Sequence, residues 1–83
     1  MTETALRQAI LDLLAVRGAG KSICPSEAAR RVVGEGGDWR ALMDAVRAVA
    51  ATLVAEGVVE VTQKGAVVDI ARARGPIRLR ATS

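Results

Sequence analysis

The side chains best equipped for chemistry in this 83-residue chain are its arginines and lysines, twelve in all against nine carboxylates, with no histidine. Their placement is uneven. Residues 1–60 carry seven basic and eight acidic side chains, whereas residues 61–83 carry Lys64, Arg72, Arg74, Arg78 and Arg80 against Asp69 alone. A guanidinium is a permanently charged, forked donor that suits phosphate oxygens and the acceptor edges of bases. A basic C-terminal segment behind a slightly acidic body is the pattern of a chain whose end meets a polyanion.

Other chemistry is harder to assemble. Ala15-Val16-Arg17-Gly18-Ala19-Gly20-Lys21-Ser22 matches a loosened phosphate-binding loop, with Ala in place of its first Gly. Such a loop needs a strand before it and a helix N-terminus after it. Here a helical pattern precedes the glycines, and 83 residues leave no room for the parallel sheet or an acidic metal-binding strand. Nucleotide hydrolysis is set aside, and Lys21 is expected to cap the first helix or face solvent. Cys24 is the only cysteine, so no internal disulfide forms and a reducing, cytoplasmic setting is expected. Without a base to activate it, Cys24 reads as a small core residue. One cysteine and no histidine cannot build a zinc site, and the scattered carboxylates make no acid–base pair. The expectation is a non-enzyme that uses no cofactor and no metal.

The elements that must position the basic residues follow from apolar spacing. Hydrophobic residues make up 51% of the chain, but one Trp is its whole aromatic content. The core is therefore thin and aliphatic, with no room for a large ligand cavity. The chain reads as a single domain over residues 1–83. It lacks an apolar run of membrane-spanning length, and its acidic, polar start at Met1-Thr2-Glu3-Thr4 is unlike a secretory leader.

Thr2 and Glu3 suit the start of a helix whose stripe is Leu6, Ile10, Leu13 and Leu14, ending at Gly18-Ala19-Gly20. Ile23 and Cys24 fit a very short extended segment. Pro25 suits the first position of a second helix, with Ala28, Ala29, Val32 and Val33 inward and Arg30 and Arg31 outward. Gly34-Glu35-Gly36-Gly37 is a turn. Asp38 is then placed to cap a third helix from Trp39 to about Glu56, with Leu42, Val46, Val49, Ala50 and Leu53 as its stripe and Gly57 as its stop. Val58–Thr62 and Ile77–Arg80 alternate as strands.

Two readings of the intervening segment are open. Ala66-Val67-Val68 pairs back tightly across Lys64-Gly65, or residues 64–75 form one long excursion with Ile77–Arg80 as the returning strand. Gly75-Pro76 restarts an alternating pattern, which favours the long excursion.

Helix, short strand, helix, tight turn, helix and hairpin is the order of an α+β winged helix-turn-helix. It has three helices and a small antiparallel sheet of two or three strands. The blocks GKSICPSEAARRV, DWRALMDAVRAVAATLVAEG, VTQKG and ARGPIRLR also resemble a small bacterial family of uncharacterised function, over about residues 5–80. That resemblance implies a winged-helix fold and carries no established activity to particular residues.

Duplex DNA is the partner this order and charge suggest. At 100° per residue, Arg40, Asp44, Arg47 and Ala51 fall on one line opposite the core stripe of the third helix. Arg40 and Arg47 would reach the groove, Lys64, Arg72 and Arg74 would clamp the backbone from the wing, and Arg78 and Arg80 would follow on the last strand. The same helix supports a second reading. Met43 and Val54, beside smooth Ala48, Ala51 and Ala55, extend the apolar stripe towards a protein partner or a second copy. Trp39 reads first as an anchor at the core edge, and otherwise as an aromatic at a partner surface.

Overall fold

In a computed structural model that describes residues 2–82, three helices cover one face of a small antiparallel sheet. Helix α1 runs Thr2–Arg17, α2 Pro25–Val33 and α3 Met43–Ala55. Strand β1 is Ser22–Ile23, β2 Val59–Gln63, β3 Ala66–Val67 and β4 Arg78–Ala81. The architecture is α+β, as the periodicity predicts, with four strands where two or three were expected. Their order is β1-β4-β2-β3, every pair antiparallel. No helix among the described residues is long and apolar enough to cross a membrane.

The helical stripes bury largely as their spacing requires, but Leu13, Val32, Val33 and Leu42 are only partly buried and Val33 stands outside the core cluster. Leu6, Ala9, Ile10 and Leu14 of α1, Ala28 and Ala29 of α2, and Val46, Val49, Ala50 and Leu53 of α3 join one cluster. Ile23, Val59, Val61, Ile77 and Leu79 complete it from the sheet. Buried alanines on all three helices let the backbones approach closely, which is how a core with one Trp reaches native packing. Leu13, Val32 and Leu42 pack against its edge.

Helix ends show where local chemistry decides. Pro25 occupies the first turn of α2, and Glu27 reaches back to accept the Cys24 N–H at 2.7 Å, half of a capping box. At the end of α3, the Gly57 N–H donates to the Val54 carbonyl at 2.9 Å and the Val58 N–H to Leu53 at 3.2 Å, a Schellman closure. The start of the third helix departs from expectation. Trp39–Leu42 is a 3₁₀ turn, and Asp38 makes no capping bond. Its backbone, at φ −84° and ψ 80°, falls short of the extended geometry from which a cap side chain reaches the next N–H groups. Before it, a Cβ at Gly37 would lie 2.6 Å from the Val33 side chain and 2.7 Å from its carbonyl oxygen. Only glycine lets the turn between α2 and α3 close this tightly.

The segment after β2 corrects the single long excursion. Gln63 pairs with Ala66 and Thr62 with Val67, so a tight hairpin does form across Lys64-Gly65. Both turn residues have positive φ, 51° at Lys64 and 84° at Gly65, the backbone of a two-residue hairpin. The returning strand is present as well. β4 pairs along the other edge of β2, from Val59↔Ala81 to Thr62↔Arg78, and its far edge takes β1. The two alternatives coexist because β2 has two edges.

Candidate nucleic-acid interface

The line of Arg40, Asp44, Arg47 and Ala51 requires an unbroken α-helix, and the 3₁₀ turn breaks it. Arg40 precedes α3, and its guanidinium lies over the Trp39 ring, 4.3 Å from the centroid. Arg47, within α3, points elsewhere. It is partly buried and donates to the Ala73 carbonyl at 3.3 Å.

That bond fastens α3 to the loop between β3 and β4. The Asp69 carbonyl accepts the N–H groups of Arg72 and Ala73 at 3.0 and 2.9 Å, and its carboxylate accepts the Ala71 N–H at 2.9 Å. From β2, the Gln63 side-chain amide donates to the carbonyls of Arg74 (2.6 Å) and Pro76 (3.1 Å). The loop is thus held by its backbone and by Val68, Ile70 and Ala73, which pack against the core, while its charged side chains face solvent. Arg72 and Arg74, on either side of Ala73, are both exposed. Arg72 approaches Asp69 at only 3.9 Å, and the pair is 90% and 61% exposed, so the contact neutralises little. Among the described residues, neither Arg47 nor Arg74 has a carboxylate within 4.0 Å. Lys64 is exposed at the hairpin tip.

Arg78 and Arg80 go to the other side. Ile77 and Leu79 face the core, so the alternation of a strand sends Arg78 and Arg80 to the outer face of the sheet. There Arg78 donates to the Ser22 hydroxyl at 3.0 Å and the Ser22 carbonyl at 2.9 Å. Arg80 pairs with Glu60, directly opposite on β2, at 2.5 Å. The structure therefore gathers Arg47, Arg72 and Arg74, and sets Arg78 apart from them. Arg17 meets Arg78 at Ser22, donating to its carbonyl at 2.9 Å and pairing with Glu27 at 2.5 Å. Burial alone would push the Glu27 carboxyl up, but the Cys24 N–H and the charges of Arg17 and Arg78 hold it below the usual carboxylate range.

A family model for proteins of unknown function, DUF3253, matches residues 3–82. The chain belongs to that family. No curated protein matches it. The DUF3253 match spans α1 through β4 and so includes every residue of the candidate interface.

Two residues at or beside the candidate interface are not singled out by the sequence reading. Gln63 is neutral and sits on a strand, yet it sets the path of the arginine loop. Arg30, on α2, lies with Arg40 over Trp39, its Cζ 4.5 Å from the ring centroid. The rarity of Trp39 was the one available signal for that pairing. Met43 and Val54 are half-buried against the core.

Proposed function

We propose that this DUF3253 domain binds duplex DNA as a winged helix-turn-helix. Helix α3 is the inserted element and the segment between β2 and β4 is the wing. The carrying observation is the Arg47–Ala73 hydrogen bond, which ties helix to wing with Arg72 and Arg74 exposed on both sides of the joint. Element order supports the same assignment, since β1, β4 and β2 form the small sheet such a fold places beside its helices. Arg47 holds the wing against α3 with one N–H and offers the rest of its guanidinium to the groove. Lys64, Arg72 and Arg74 serve the backbone, and Arg40, in the turn before α3, the backbone at the helix entrance.

The exposed face of α3 offers Asp44, Ala48 and Thr52, and none of the amides that read adenine. Binding is accordingly dominated by phosphate contacts and tolerant of sequence, which suits an accessory or regulatory DNA-binding role. If Arg40, Arg47, Lys64, Arg72 and Arg74 each neutralise one phosphate, log affinity falls with log salt at a slope of roughly −4 to −5. The test is anisotropy of a labelled duplex of ~15 base pairs against wild type and the Arg72→Glu, Arg74→Glu double variant. The reversal is expected to reduce affinity at least tenfold while the circular dichroism spectrum stays unchanged. Equal affinity in the two proteins would remove the wing from the interface.

A further inference from the structure

The charges over Trp39 lie outside the helix–wing joint. Trp39 is the only aromatic residue of the chain, and two guanidinium groups rest on its ring, Arg30 at 4.5 Å and Arg40 at 4.3 Å from the centroid. At these distances each is drawn to the electron-rich ring. Two like charges from different elements thus share one ring, and among the described residues neither has a carboxylate within 4.0 Å. Trp39 and Arg30 also line a surface cavity of about 370 Å³ with Gly34, Glu35, Gly36 and Gly37. Its glycine wall lets a ligand approach the backbone, and Glu35 is the single carboxylate in the lining.

We propose that Arg30 and Arg40, braced on Trp39, form a clamp for a backbone phosphate of the bound duplex. The proposal rests on the duplex-binding reading and adds a contact point on α2, beyond α3 and the wing. Stacking fixes two planar forks before the anion arrives, so little side-chain freedom is lost on binding.

The single Trp makes the test local, because all intrinsic emission comes from Trp39. Wild type, Arg30→Gln and Arg31→Gln would be titrated with a ~15 base-pair duplex over a salt series, reading anisotropy and Trp39 emission together. Arg31 is the control, a neighbouring α2 arginine paired loosely with Asp12 at 3.8 Å. The expected result is a saturable change in Trp39 emission, with Arg30→Gln weakening affinity three- to tenfold. The same variant should make the salt slope shallower by about one, and Arg31→Gln should keep the wild-type slope. Trp39→Leu, which removes the brace and keeps both arginines, should weaken affinity as well, and this keeps the test decisive if Arg30→Gln disturbs α2. Wild-type affinity and slope in both Arg30→Gln and Trp39→Leu would overturn the clamp and leave the wing reading standing. No duplex binding by wild type would remove the duplex reading and the clamp with it. A saturable Trp39 response to inorganic phosphate, with none to duplex, would assign a free-anion site and overturn the duplex assignment.

Discussion

Lys64 is the residue at which local strain and charge meet. It holds a φ of 51° at the hairpin tip, a left-handed backbone that a lysine adopts at a cost asparagine largely avoids. Lys64→Asn is expected to raise stability by up to about 1 kcal/mol in urea unfolding, while weakening duplex binding through the lost charge. A variant that is both less stable and equally tight would contradict both assignments. The outward direction of Arg78 and Arg80 was legible from the alternation with Ile77 and Leu79. Their engagement by Ser22 and Glu60 was not, because those partners are strand neighbours that only sheet order brings together. Charge counting treated five basic residues of the last segment as one patch. Strand geometry divides them between two faces.

Helices were legible as elements because their apolar residues recur at helical spacing and their ends carry proline or glycine signals. The 3₁₀ turn at Trp39–Leu42 was not, since Asp38 followed by apolar spacing imitates a capped α-helix. The restart of alternation at Gly75-Pro76 favours a long excursion but does not bear on the tight hairpin, because the two pair with opposite edges of β2. Gln63 now carries a testable share of the wing. Its amide holds the carbonyls of Arg74 and Pro76, so Gln63→Ala is expected to cost about 1 kcal/mol. The same variant should speed amide hydrogen exchange in residues 72–77 while α1 exchanges as before. Unchanged exchange in that segment would mean that Arg47 alone positions the loop.

The whole molecule rests on one aliphatic cluster, with little stability to spare for a domain of this length. Leu53→Ala, at a fully buried α3 position, is expected to cost about 2–5 kcal/mol, enough to leave a substantial unfolded fraction. A loss below ~1 kcal/mol in chemical unfolding would contradict the packing described. Acid should destabilise the fold through two glutamates. Arg7 hydrogen-bonds Glu56 at 2.9 and 2.6 Å and holds its carboxyl low, while the Cys24 N–H and Arg17 outweigh burial to hold Glu27 low. Groups with folded values below their unfolded ones contribute fully above the ordinary carboxylate range, and that contribution disappears as pH falls through the folded values. The melting temperature should therefore fall on acidification below about pH 4.5, and Glu27→Gln should flatten part of that fall. A melting temperature that rises towards acid pH would contradict both networks.

On the proposed function, α3 and the loop fastened to it by Arg47 meet duplex DNA as one surface. The most direct test is an amide NMR titration of the labelled protein with a duplex of ~15 base pairs, at low and then moderate salt. Salt-sensitive shifts are expected in residues 39–55 and 64–76, with the outer-face strand residues Arg78 and Arg80 unmoved. No shifts at low salt, or shifts confined to the outer face of the sheet, would contradict the proposed function.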